Sequence, residues 1–278
     1  MPRKDRWQIA QSAEKKGRVR QEYTPESINI AKPQFVSLLK ILKECGIVFD
    51  DSHKLLDIGS AGTSVFSVLK KGQRYAVDPL FSYIFNLYPF LNEIEEYKGV
   101  NFINSGIEEA TFNFKFDAVF LINLLDHTEK PRKVVDKVKS LLAPGGYLIV
   151  TVDTYEDKRI RDVIQFFDPD PAHPHHFMQE DINALLSDYK MIKYDDDLFN
   201  TSVYSSNYKD ANRGAKLLIR RIIKLPVRKV ISYLRLLGTF YAIKHIACYA
   251  VLLCLYLLRR IGPPVQPLNP RRLFIFQK

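Results

Sequence analysis

Hydrophobic positions along this chain change their period repeatedly, and the changes place its elements. Up to about residue 52 the period is helical: Phe35, Leu38, Leu39, Ile41 and Leu42 recur on one face behind Pro33, a residue suited to a first helical turn. Beyond that point short apolar runs alternate with helix-period stretches. The runs predict strands at Lys54 to Ile58, Arg74 to Val77, Val100 to Ile103, Phe116 to Ile122, Tyr147 to Val152 and Met191 to Asp195. Helices are expected at Val65 to Lys71, Phe81 to Leu91, Pro131 to Leu142 and Glu180 to Tyr189. A parallel strand pair needs a crossover, and crossover helices bury both sheet faces, so this alternation predicts an α/β fold with a mostly parallel sheet. After Asp197 the pattern turns helical, basic and apolar from about Asn212 to Arg260, and Gly262-Pro263-Pro264 stops it. Leu273 to Gln277 then reads as a last short strand. The chain divides accordingly into a helical cap (1–52), the main α/β domain (53–198), a helical insertion (199–270) and the closing strand (271–278).

In open sheets of this kind ligands sit outside the carboxyl ends of the strands. There the run Leu55-Leu56-Asp57-Ile58-Gly59-Ser60-Ala61-Gly62-Thr63-Ser64 reads as a buried strand followed by a tight turn of small residues. Small residues let backbone N–H groups approach a ligand at a helix N-terminus. The next strand ends in Tyr75-Ala76-Val77-Asp78-Pro79, which puts a carboxylate 19 residues after Gly59. A carboxylate at that interval can accept both hydroxyls of a ribose. Only Gly59 and Gly62 are glycines, so the turn is not a strict G-x-G-x-x-G; Asp78 is what turns it into a nucleoside signal.

With Phe116-Asp117-Ala118-Val119-Phe120-Leu121-Ile122-Asn123-Leu124-Leu125-Asp126-His127-Thr128 added, the chain resembles class I S-adenosylmethionine-dependent methyltransferases from about Lys54 to Asp197. Leu141-Leu142-Ala143-Pro144-Gly145-Gly146-Tyr147-Leu148 resembles that family's helix end, turn and fifth strand, and His173-Pro174-His175-His176-Phe177 resembles its small-molecule-modifying branch. The resemblance implies a Rossmann-like, mostly parallel seven-stranded sheet with helices on both faces, and S-adenosylmethionine as cofactor. It implies that Asp57 positions the turn, that Gly59, Ser60, Ala61 and Gly62 face the methionine part, and that Asp78, with Pro79 beside it, binds the ribose. Ser105-Gly106-Ile107-Glu108 would border the adenine, and Asn123 and Leu124 would lie beneath the sulfonium. Asp126 and His127 would then stand near the methyl-transfer path. The sequence departs from the family where Ala61 and Thr63 replace glycines, and where no carboxylate occupies Ser105 or Gly106. Asn123-Leu124-Leu125-Asp126 stands in place of an aromatic-proline motif, which disfavours nitrogen methylation of nucleobases.

Methyl transfer from a sulfonium asks little covalent help of a protein: the nucleophile must be in line, and a hydroxyl must lose its proton. Histidine, with an unperturbed pKa of about 6.5, is the natural base. The available choices are His127, His173, His175 and His176, with His127 and one of the loop histidines favoured and Asp126 beside them. Asp126 and Thr128 compete with that role as caps of the helix containing Pro131. The loop also pairs its histidines with Asp168 and Asp170, but i and i+2 positions in a proline-broken loop do not converge on one ion, so no metal is expected.

Charge adds one more element. The net +10 is concentrated in residues 199–278, where fifteen Lys or Arg face Asp210 alone, giving +14 there and −4 for the rest. Cys45, Cys248 and Cys254 lie at no metal-ligand spacing and suggest a reducing, cytoplasmic setting. No apolar run follows the charged N-terminal residues, so no secretory signal is expected. Leu236 to Leu258 is apolar except for Lys244 and His245, and as a helix would extend roughly 35 Å, enough to cross a bilayer. A single crossing would strand the last β-strand on the far side. The consistent arrangement is a peripheral or monotopic helix at the inner face of an anionic membrane, held by residues 212–262 with Arg220, Arg221, Lys224, Arg228, Lys229, Arg235, Arg259 and Arg260 around it. Burial in the core or in a dimer interface is the competing arrangement. Nucleic acid ranks last, because the cations alternate with Leu, Ile and Val rather than with stacking aromatics. The expected activity is therefore O-methylation of a small-molecule, sugar or lipid-linked acceptor at a membrane surface. The alternative is a non-catalytic S-adenosylmethionine-binding or membrane-associated scaffold.

Overall fold

A computed structural model describes residues 3–20, 24–170, 172–195, 239–257 and 271–278. The strands are β1 (Lys54–Ile58), β2 (Gln73–Val77), β3 (Val100–Ile103), β4 (Phe116–Ile122), β5 (Leu142–Tyr155), β6 (Phe177–Met178), β7 (Lys190–Asp195) and β8 (Arg271–Gln277). The helices are α1 (Arg3–Arg20), α2 (Pro25–Glu44), α3 (Phe81–Leu87), α4 (Pro131–Leu141), α5 (Lys158–Phe167), α6 (Gln179–Leu185) and α7 (Thr239–Leu257). The sheet runs β3-β2-β1-β4-β5-β8-β7, with the two-residue β6 paired to β5 off that path. β3 through β5 are parallel and β8 is antiparallel to both neighbours. The expected Rossmann-like α/β sheet is thus present, and the last strand enters it between β5 and β7.

Both faces of the sheet are covered, which is why its central strands read as continuous apolar runs. One face packs Leu56, Ile58, Val119 and Leu121 against Val134, Val135 and Val138 of α4 and Ile182 of α6. The other packs Leu55, Ala118, Phe120 and Ile149 against Phe35, Leu38 and Leu42 of α2. The spacing of those three α2 residues puts one apolar stripe on the sheet. β1 lies between β2 and β4, so the chain leaves it toward one neighbour and returns on the other side. That reversal opens a crevice at the carboxyl ends of β1 and β4.

Several expected elements take a different form. Val65 to Lys71 is not a helix but a single 3-10 turn, Val65–Ser67, whose three residues are all buried. A segment buried on every side packs into the core and presents no solvent face for further turns, so the small-residue turn does not open a regular helix. Phe81 to Leu91 breaks after Leu87 and resumes as a 3-10 turn from Pro89, whose missing N–H stops continuation. Pro33 stands inside α2 rather than in its first turn, on the exposed side. The Pro144-Gly145-Gly146 turn is absorbed into β5 as an irregularity: the register with β4 jumps between Phe116 and Ala118, and Gly145 adopts φ +76°.

Within the insertion, α7 packs on α5 through Cys248 and Leu252 against Tyr155, Ile160 and Ile164. Its Lys244 lies 3.6 Å from the Asp168 carboxylate. Ile243 and Ile246 on its other side are exposed, as is Val251 at the edge of the packed stripe. Among the described residues no helix is long and apolar enough to cross a membrane. The helix expected from Asn212, the Gly262-Pro263-Pro264 stop and the flanking arginines and lysines outside 239–257 lie outside the described residues.

Candidate functional site

The turn after β1 is held from three directions. Asp57, buried at the end of β1, accepts from Ser64 Oγ at 2.5 Å and from Val65 N at 3.2 Å, closing the turn on itself. From β2, Asp78 accepts from Ala61 N at 2.9 Å through one oxygen and from Leu80 N at 2.7 Å through the other. From the segment before β3, Tyr97 donates its hydroxyl to Gly62 O at 3.1 Å and accepts from Ser64 N at 3.0 Å. Sequence reading did not single out Tyr97 or Ser64; a tyrosine 33 residues from its partner has no local signature.

These restraints account for an alanine held in a conformation that glycine adopts more readily. Ala61 sits at φ +47°, in the left-handed region, which costs a residue with a Cβ roughly 1–2 kcal/mol. Its buried N–H is paired with Asp78, and leaving that donor unpaired would cost about as much again. Gly59, at φ +74°, is a glycine for two reasons: the angle itself, and a Cβ there would run into the Leu124 side chain. The turn after β1 and the turn after β4 are therefore packed against each other at the crevice.

Burial dominates the electrostatics of Asp57. Removal from water raises its carboxyl, the bonds from Ser64 and Val65 oppose the rise, and the nearby Asp78 charge adds to it, leaving the group near pKa 7. One of its oxygens, Oδ1, is buried with no hydrogen-bond partner.

Beyond Asp78 the expected adenine border is assembled unevenly. Pro79 is exposed, Ile107 is buried in the core, and the exposed Glu108 carboxylate curls back over Gly106. Ser60 is buried, and its Oγ is unpartnered.

After β4, Asn123 adopts φ +52° and its N–H donates to Thr151 O at 2.8 Å. Asparagine tolerates this left-handed angle, and the bend turns the chain into a 3-10 turn, Leu125–His127. Asp126 does not cap α4: the capping position is Lys130, without a side-chain bond, and Thr128 Oγ1 donates instead to Leu125 O. Asp126 is buried (2% exposed), and its Oδ2 lies 4.0 Å from His127 Nε2 and 3.9 Å from His173 Nε2. The two imidazole rings are 4.2 Å apart. Glu14 of α1 places Oε1 3.1 Å from His127 Nδ1, a charge contact rather than an aligned hydrogen bond, and Asp170 Oδ2 is 3.2 Å from His173 Nδ1. Asn123 Nδ2 is 3.3 Å from His127 Nε2.

Of the loop histidines, His173 is the one that meets His127. Burial alone would lower its pKa, but Asp170, with Asp126 and Asp153 behind it, raises it to about 9. His175 and His176 face elsewhere. The Nε2 of His175 is 2.9 Å from Thr128 O and its ring stacks on Phe177, while His176 Nδ1 lies 3.5 Å from the Tyr155 hydroxyl. The reason is the loop path: α5 ends at Asp168 in a left-handed turn (φ +46°), which starts a return toward β4 that His173 completes. Asp168 itself is drawn to Lys244 of α7. An acid, an amide and two imidazoles thus gather at the carboxyl end of β4, beside the turn held by Asp57 and Asp78, with α1 contributing Glu14 as a cover.

A family model described as a methyltransferase domain matches residues 31–189. Over 157 residues, 53% of this chain and 60% of the relative, the chain is 28% identical to malonyl-[acyl-carrier protein] O-methyltransferase 2 of Ilyobacter polytropus. It is 30% identical over 103 residues to tRNA U34 carboxymethyltransferase of Idiomarina loihiensis, covering 35% of this chain and 32% of that one. The chain therefore spans less than two thirds of the curated relatives it matches. Among solved structures, a putative methyltransferase from Bacillus halodurans superposes with TM-score 0.56 at 13% identity, covering 88% of this chain and 98% of that one.

Proposed function

The chain belongs to the methyltransferase-domain family, class I S-adenosylmethionine-dependent enzymes on a Rossmann-like sheet, and on that premise we propose that it methylates an oxygen of a small-molecule, sugar or lipid-linked acceptor. The observation that carries the choice of oxygen is the Asp126–His127 pair, which sits one turn beyond Asn123 and next to the Gly59 turn. Gly59 to Gly62 would hold the methionine end of the cofactor and Asp78 its ribose, so that the methyl group it supplies would be presented at the end of β4. The acceptor oxygen attacks that methyl carbon in line as the bond to sulfur breaks, and S-adenosylhomocysteine leaves. The hydroxyl proton passes to the imidazole side of the site, where His127 is held between Asp126 and Glu14. That one relative is named for methylating oxygen supports the same choice.

Calorimetry with S-adenosylmethionine and S-adenosylhomocysteine, paired with transfer of labelled methyl to candidate hydroxyl acceptors, tests this reading. His127→Ala is expected to lower turnover about 100-fold or more, the usual worth of a general base, while changing cofactor affinity by less than about threefold. Unaltered turnover in that variant removes His127 from the mechanism. Folded protein that binds neither cofactor form overturns the whole assignment.

The acceptor is proposed to come from the inner face of a membrane. The support is the +14 charge of residues 199–278 together with the exposed Ile243, Ile246 and Val251 of α7. Replacing those three by serine is expected to shift the protein from anionic liposomes to buffer in a flotation assay. An unchanged distribution rejects membrane contact through α7.

A further inference from the structure

We propose that Asp126, His127 and His173 bind one divalent first-row transition-metal ion. Each offers one donor atom, and the three donors lie within 4.8 Å of one another. They come from separate parts of the chain, the turn after β4 and the loop after α5, so no local spacing in the sequence announces them.

The orientation of both rings carries the argument. His127 and His173 each turn Nε2 toward the same carboxylate oxygen, Asp126 Oδ2, at 4.0 and 3.9 Å. Each also turns Nδ1 toward a different carboxylate: Glu14 at 3.1 Å and Asp170 at 3.2 Å. A carboxylate hydrogen-bonded at one ring nitrogen keeps the proton there and leaves the lone pair on the other, which is how metal-ligating histidines are held. Asp170 stands in that position at His173, while at His127 Glu14 brings its charge to Nδ1 without an aligned hydrogen bond. Independently, Asp126 is 2% exposed and its second oxygen, Oδ1, is buried with no hydrogen-bond partner, a costly state for a carboxylate unless a cation shares the site.

Size and donor type select the ion. With bonds of about 2.1 Å and tetrahedral angles, donors stand about 3.4 Å apart, so each histidine must close on Asp126 Oδ2 by roughly half an ångström, and the two imidazole donors, within 4.8 Å of each other, must close on one another as well. Side-chain rotation suffices, with the Asn123 amide yielding its contact to His127 Nε2. Two imidazoles and one carboxylate suit zinc, iron or cobalt and disfavour magnesium and calcium, which prefer all-oxygen sets. Three protein ligands leave coordination positions open, and the ion would sit at the end of β4, where the proposed function places methyl transfer. Only the ion's use there, lowering the pKa of the acceptor hydroxyl by coordination in place of His127 as base, rests on that reading. Its binding does not.

The test is titration of tag-free, chelator-treated full chain with Zn²⁺ by calorimetry and with Co²⁺ by visible absorption. One equivalent is expected to bind, with the intense d–d bands of a low-coordinate site. Asp126→Asn and His173→Gln should each weaken binding at least 100-fold. Glu14→Gln should weaken it about 10- to 100-fold, the effect of losing a partner behind a ligand. His53→Gln, distant from the site, should leave it unchanged. Absence of saturable binding to the unmodified chain, or affinity equal in His173→Gln and the parent, overturns the proposal. S-adenosylmethionine titrated into each variant confirms a folded protein and separates the two readings. Cofactor binding without metal binding rejects the site alone, and metal binding without cofactor binding rejects the methyltransferase reading alone.

Discussion

Asp78→Ala is expected to weaken S-adenosylmethionine binding at least about 100-fold and to lower stability as well. Both effects have one origin. In the resemblance Asp78 is the ribose ligand, and two hydrogen bonds from ribose hydroxyls to a charged acceptor contribute about 1.5–3 kcal/mol each. The same carboxylate accepts from the buried N–H of Ala61 and from Leu80 N. Its removal orphans the donor that keeps Ala61 in the left-handed region, at a cost of about 1–3 kcal/mol. The turn should then relax out of the conformation that presents its backbone to the cofactor. Asp78→Asn separates the two roles: its amide oxygen can keep one backbone bond, so thermal stability should recover more than cofactor affinity. Calorimetry and thermal unfolding measured on the same samples check this. Full affinity in Asp78→Ala would remove Asp78 from the cofactor site.

The second large effect is a pH dependence centred on Asp57. Its folded carboxyl holds a proton up to about pH 7, whereas the unfolded chain releases it near the ordinary aspartate value of 3.8. Between those values the folded state carries more protons than the unfolded state, so this group's contribution to stability falls as pH rises from about 4 to about 7 and is level above. Three pKa units correspond to roughly 4 kcal/mol, an order-of-magnitude figure. Asp57→Asn, which retains an acceptor for Ser64 and Val65, should flatten that part of the stability curve. Denaturant midpoints taken from pH 5 to pH 8 decide it, and parallel curves for the two proteins reject the assignment. Bound S-adenosylmethionine carries positive charge on its sulfonium and amino groups. If its methionine end lies at this turn, it favours the ionised carboxylate, and the parent's slope should shrink in its presence.

Much of the fold was legible because its signals are local. Buried parallel strands are short runs of Val, Ile, Leu and Phe, and β1, β3 and β4 begin and end where those runs do. Local signals failed where packing overrode period. Val65-Phe66-Ser67 has helical spacing, yet all three residues are buried, and a chain enclosed on every side has no reason to continue a helix past one turn. The Pro144-Gly145-Gly146 turn reads as a strand boundary, but Leu142 already pairs with Phe116 of β4, and Gly145 and Gly146 exchange backbone hydrogen bonds with Lys278 just past β8, so the irregular residues stay within the strand.

The candidate site divides along the same line. Gly59 and Asp78 are separated by one β-turn-β unit, so spacing alone announced their relation. Asp126 and His127 follow the next central strand and were singled out for that position. What the sequence by itself determined about this protein is therefore its α/β class, its family likeness and the strand ends that carry the Gly59 turn and Asp78. Only the tertiary structure decided which side chains surround that turn. Tyr97 as its clamp, His173 in preference to His175 or His176, and Glu14 from the first helix all arrive through crossovers and a left-handed exit from α5. A contact between distant segments is set by topology and by the volume each helix fills against the sheet, and neither quantity has a period along the chain.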